Sequence, residues 1–201
     1  MAVELRKTGD KVNLQKNGPL GKITVNLNWN TKGNVRTTGV LFKKTTYDPI
    51  DLDLGCLYEL TDGTRSAVQA LGKAFGNFNL PPYIMLDGDD RTGDSGDGEN
   101  LRINGDMIPK IKRILIYTFI YEGVANWKDA NAVVTVKCPG SEDIVVRMDQ
   151  FNTTNTMCAI AMLENVGQTF SVEKIVRFFP GHEPMDRAFG WGLRWTPGRK
   201  D

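Results

Sequence analysis

The chain has 201 residues, 40% of them hydrophobic and 24% charged, with a formal net charge of +1. That is enough apolar material for a packed core, and one domain over residues 1–201 is the expected organisation. No stretch approaches the roughly 18 apolar residues of a membrane span, and Met1-Ala-Val-Glu-Leu-Arg-Lys lacks the apolar run of a signal peptide, so anchor and leader are both excluded as expectations.

In chain order, Lys7-Thr-Gly-Asp-Lys and Lys16-Asn-Gly-Pro-Leu are turn signals that set off an N-terminal edge strand. Short alternating segments follow at 23–29, 52–60, 99–103, 111–121, 132–137, 144–148, 158–164 and 173–179. This spacing predicts an all-β, two-sheet β-sandwich with few short helical turns, one of them at 125–129. The run from Ile111 to Tyr121 is nearly continuous in β-branched and aromatic residues, as suits a central strand covered on both faces. Residues 71–82 carry aromatics without a period and read as a surface loop. Cys56, Cys138 and Cys158 are odd in number and set in apolar stretches, the pattern of buried thiols in a reducing compartment, which points to the cytoplasm.

Charge is unevenly distributed. Residues 48–106 hold twelve acids and four bases, so this segment is −8 while the remainder is +9. Within it, Asp87 to Glu99 places six carboxylates among four glycines and one arginine. Such a loop splays apart by repulsion unless a cation holds it, and glycines between acids let carboxylates and carbonyls aim inward. Calcium, with six to eight hard oxygen ligands, is the expected ion; magnesium prefers fewer carboxylates and more water. An EF-hand is excluded by register, since a count from Asp87 puts Arg91 at the fifth position and Thr92 where glycine is needed. Asp51-Leu-Asp-Leu adds two carboxylates at i and i+2, which on a strand share one face while Leu52 and Leu54 enter the core.

Other motifs carry less. Gly93-Asp-Ser-Gly imitates a serine nucleophile, but the sole histidine, His182, follows it in the chain and the surrounding carboxylates would repel an oxyanion. His182 itself reads as a turn residue. Phe189, Trp191 and Trp195 read as one face of a terminal strand closing the core, with a ligand groove as the other reading. Lys110, Lys112 and Arg113, like the basic C-terminus, read as a solvated face without the interleaved aromatics of a nucleic-acid platform.

Taken together, Leu5-Arg-Lys-Thr-Gly-Asp-Lys-Val-Asn-Leu with Ile23-Thr-Val-Asn-Leu-Asn-Trp-Asn, Asp51-Leu-Asp-Leu-Gly, and Gly88-Asp-Asp-Arg-Thr-Gly-Asp-Ser-Gly-Asp-Gly-Glu resemble the TerD-type tellurium-resistance and stress-protein superfamily. The C-terminal stretch from Phe179 to Trp195 resembles its TerA-like branch. The resemblance implies a cytoplasmic calcium-binding β-sandwich with one or two ions. Its ligands would be Asp51 and Asp53 from the strand and Asp89, Asp90, Asp94, Asp97 and Glu99 from the loop. Asn30 stands where the family commonly has aspartate, and Asp90 where it has asparagine. The expected role is a non-enzymatic binding or scaffold module with protein partners in a tellurite or chemical-stress resistance complex. The alternatives are calcium-dependent attachment to anionic membrane, at the inner face, and a metal-dependent phosphoesterase.

Overall fold

The computed structural model describes residues 2–14, 18–30, 35–38, 44–47, 50–87, 98–122, 127–148 and 153–198. The strands are β1 (Ala2–Leu5), β2 (Lys11–Asn13), β3 (Lys22–Asn28), β4 (Val35–Thr38), β5 (Lys44–Tyr47), β6 (Asp51–Leu60), β7 (Arg65–Val68) and β8 (Gly76–Asn77). They continue with β9 (Ile84–Leu86), β10 (Glu99–Asn104), β11 (Ile111–Glu122), β12 (Ala132–Lys137), β13 (Asp143–Met148), β14 (Met157–Asn165) and β15 (Phe170–Phe179). Among the described residues there are also two short α-helices, α1 (Trp127–Ala130) and α2 (His182–Phe189), and a 3-10 helix at Gly105–Lys110.

These strands build the expected all-β sandwich. One sheet has the order β1-β13-β12-β3-β10-β9-β8 and the other β2-β15-β14-β11-β6-β7, while β4 and β5 pair with each other. Alternation explains the inner face: Ile23, Val25 and Leu27 on β3 and Leu101 and Ile103 on β10 are buried, with polar residues between them. Leu52, Leu54, Ile114 and Ile116 meet them from the opposing sheet in one core. The edge strand β1 runs parallel to β13. Lys174 of β15 ties it down, its buried ammonium donating to the carbonyls of Leu5, Arg6 and Arg147 at 3.0, 3.2 and 3.4 Å.

A second core lies on the far side of the six-stranded sheet. Leu115, Tyr117 and Phe119 of β11 point away from the first core and pack with Leu57, Met157, Met185 and Trp191. So β11 is covered on both faces, as its composition predicts. The cover is not a terminal strand. Residues 182–189 form α2, with Met185 buried and Phe189 one turn later half-buried on the same cluster, and Trp191 and Trp195 follow in irregular backbone. Gly190 ends the helix at φ 67°, a conformation that favours glycine. The aromatic triplet therefore does close a core, but from a helix and a strap. His182, expected in a turn, is the first residue of α2. Residues 71–82 are also less irregular than expected, containing a 3-10 turn at Leu71–Lys73 and β8.

Candidate functional site

The first ends of β6 and β10 and the last end of β3 converge at one end of the sandwich. The Trp29 indole N–H, just past β3, donates to the Ile50 carbonyl at 2.9 Å and so places the start of β6. Asn30 follows, its backbone N–H donating to Ala130 at 2.7 Å and its side-chain amide to the Asp129 carbonyl at 3.3 Å. Asn30 is thus engaged with α1.

Within this end, two buried carboxylates flank β6: Glu99 reaches it from the core side, and Asp53 stands on the face it shares with Tyr117 and Phe119. Glu99 opens β10 on its inward-facing register, and its side chain is only 2% exposed. Its Oε2 accepts the backbone N–H of Leu54 at 2.6 Å. Among the described residues β7 pairs with Cys56 to Glu59 and stops short of Leu54. Asp53, directly before Leu54, is fully buried. It lies opposite Phe119 and beside Tyr117, whose ring sits on Gly55 so closely that a Cβ there would come within 2.7 Å of it. Burial, then the electrostatics of Cys56 and Asp53, push the Tyr117 phenol well above its ordinary range.

Both ends of the acidic loop are held against this site. Asp87 donates its N–H to the Asn100 carbonyl at 2.9 Å, and its carboxylate pairs with Arg102 on β10. At the other end Gly98 has φ 65°, and a Cβ on it would lie 2.0 Å from the Leu27 carbonyl oxygen. The loop therefore leaves β9 and returns to β10 within one hairpin, delivering its last acid into the sandwich.

Of the sequence candidates, Asp53 and Glu99 are both buried near the start of β6 but on opposite faces of its sheet, and Asp51 lies half-buried at the first position of that strand, opposite Glu122 in register. Asp89, Asp90, Asp94 and Asp97 lie outside the described residues. Among the described residues no three His, Cys, Asp or Glu side chains are gathered as a metal site would need. The described portion offers two buried carboxylates, oxygen donors suited to a hard cation.

The sequence reading missed a second polar constellation on the outer face. Glu59, 2% exposed, binds Arg65 at 3.0 Å, Lys112 at 2.8 Å and Arg113 at 2.6 Å. Desolvation raises its pKa, but the hydrogen bonds to Lys112, Arg113 and Arg65 outweigh it and hold the carboxyl near 2. Arg113 also lies 3.8 Å over the Trp191 ring and donates to the Phe189 carbonyl, while Arg65 donates to that of Trp191. Lys112 and Arg113 are therefore part of a clamp on the C-terminal strap and not merely a solvated face. Asp186 holds the strap from the other side, accepting from the N–H groups of Gly192 (2.7 Å) and Leu193 (2.9 Å) and the Trp195 indole (3.0 Å). The alternation of Glu59 with apolar neighbours on β6 was the available signal.

The fold and its acidic end define a class of two-sheet β-sandwich in which a hairpin loop brings carboxylates to the junction of the sheets. The TerD domain family model matches residues 1–162, and the chain belongs to that family. It is 45% identical over 199 residues to the tellurium resistance protein TerA of an Alcaligenes species, covering 98% of this chain and 58% of that protein. The chain thus spans little more than half the length of this curated relative. Its fold also resembles the crystal structure of a homologue of telluride resistance protein (TerD) from Streptomyces coelicolor A3(2), with a TM-score of 0.55 and 21% identity, over 83% of this chain and 95% of that one. The TerD match ends inside β14, so β15, α2 and the strap lie beyond it. Among the described residues no helix is long and apolar enough to cross a membrane.

Proposed function

We propose that this chain is a calcium-binding β-sandwich module of a tellurite or chemical-stress resistance system, acting by binding or scaffolding protein partners and not by catalysis. The observation that carries the reading is the burial of Glu99, which closes the acidic loop and accepts the Leu54 N–H, next to a strand whose neighbouring residue Asp53 is a second fully buried carboxylate. Oxygen donors at the root of a loop with four further aspartates fit the chemistry of calcium, and Asp51 would complete the protein's contribution from β6. Bound calcium would supply positive charge that offsets the crowding of carboxylates. The chain's own residues would fix the loop ends through Gly98 and the Asp87–Arg102 pair, presenting a constant surface to a partner. The name of the TerA relative supports placing it in tellurium resistance, and three buried, free cysteines suit the cytoplasm.

Calorimetric titration of the chelator-stripped chain with calcium, repeated with magnesium, tests the reading. The expected result is calcium-selective binding of about one or two ions per chain. An absence of calcium binding with the fold intact would overturn it.

A further inference from the structure

A cavity of about 350 Å³ opens on the outer face of the six-stranded sheet. Gln69 and Leu71 line it from just beyond β7, His182 and Pro184 from the start of α2, and Trp195 and Pro197 from the strap, with the Trp195 ring lying on that of His182 at 4.7 Å between centroids. The volume is at the size of sites that hold a one- or two-ring ligand. Two of its walls come from α2 and the strap, beyond the stretch that the TerD model matches.

The polar groups in this cavity are few and directed. His182 stands edge-on to Tyr117 (5.6 Å between centroids, 88°) and to Phe119 (5.1 Å, 64°), and its Nε2 is sealed among them without a hydrogen-bond partner. An N–H directed at aromatic faces is the better occupant of that position than a bare lone pair, so packing assigns the proton to Nε2 and leaves Nδ1 as an acceptor on the cavity side. Burial lowers the His182 pKa to about 4, which keeps the ring neutral at ordinary pH. Gln69 accepts the Tyr117 hydroxyl through Oε1 at 2.6 Å, which directs its NH₂ group elsewhere as a donor. Trp195 is held rigid because its indole N–H is committed to Asp186. Among the described residues no lysine or arginine lines the cavity, and Glu183 at its rim pairs with Arg187 at 2.7 Å. The described lining is thus neutral or acidic, which suits an uncharged ligand better than a phosphate or carboxylate.

We infer that this cavity binds a neutral, planar nitrogen heterocycle with adjacent hydrogen-bond donor and acceptor, a free nucleobase in chemical class. Its donor meets His182 Nδ1, its acceptor meets the Gln69 amide, and its ring lies against Trp195. The proposal does not rest on the calcium reading, and its test uses no calcium-dependent readout.

Free adenine is the probe, with adenosine monophosphate as the anionic control. His182 is the sole histidine, so its ring ¹⁵N signals identify themselves in the unmodified protein. The expected result is saturable adenine binding that shifts Nδ1 more than Nε2, with the monophosphate at least about tenfold weaker. His182→Phe keeps a ring in the aromatic cluster but removes the acceptor, and Gln69→Leu removes the donor; each weakens adenine about tenfold, one hydrogen bond's worth. Glu183→Gln at the rim leaves affinity within about twofold. Unmoved His182 signals at saturating adenine, or equal affinity for the monophosphate, would overturn the proposal even if a variant failed to fold.

Discussion

Glu99 of the seven-stranded sheet caps Leu54 of the six-stranded sheet, its carboxylate accepting the Leu54 N–H at 2.6 Å in a site closed to solvent. This contact joins the two sheets at the base of the acidic loop, so a change in charge there is felt by the strand that carries Asp51 and Asp53.

Asp53→Asn and Glu99→Gln therefore separate charge from packing. Glu99→Gln retains an oxygen for the Leu54 N–H, and in chelator this variant is expected to melt within a few degrees of the parent. At calcium a hundredfold above the dissociation constant the parent gains about 2.7 kcal/mol by mass action, and both variants lose most of that gain. Lys7→Ala loses none. Equal calcium-induced shifts in all four proteins, read by thermal melting, would count against the metal site.

Gly98→Ala tests how the loop is anchored. The residue needs φ 65° and has a carbonyl oxygen 2.0 Å from where a Cβ would sit, so the backbone of β3 or β10 must move. A loss on the order of 1–3 kcal/mol is expected in urea unfolding, together with weaker calcium binding. Gly9→Ala, at φ 90° with open space around it, costs less because it meets strain without collision.

Glu59 gives the fold an acid limb. Its carboxyl is near 2 when folded against an ordinary value of 4.5, so the unfolded chain takes up the proton first as pH falls. The stability it contributes is complete above about 4.5 and is lost as pH falls from there through about 2. Glu59→Gln is expected to destabilise at neutral pH by about 1–3 kcal/mol, and the gap from the parent narrows across that window. A gap independent of pH between 5 and 2 would contradict this role.

Asp186→Ala removes three hydrogen bonds at once and frees the strap from α2. Trp195 gains solvent, so tryptophan emission shifts to the red, and stability falls on the order of 2–4 kcal/mol. The cavity beside His182 loses its Trp195 wall in the same variant, so adenine binding is lost with it.

Much of this molecule was legible in its amino-acid order because the signals are local. Period-two alternation marks β3, β12 and β13 regardless of their partners, and the continuous apolar run of β11 announces two covered faces. The acidic loop declares itself by composition alone. What local pattern does not carry is pairing. Leu54 and Glu99 stand 45 residues apart, and only the register of β6 on β11 and of β10 on β3 brings the carboxylate to the Leu54 N–H. The same holds for the C-terminus: residues 182–189 are too short and too marked by proline to proclaim a helix. Burial of Met185 and the clamps by Glu59's arginines and by Asp186 decide that this segment covers a sheet and encloses a cavity. Sequence determined which residues seek apolar or charged company, and the tertiary structure decided which company they found, because long-range burial and hydrogen bonding outweigh the weak conformational preference of any short segment.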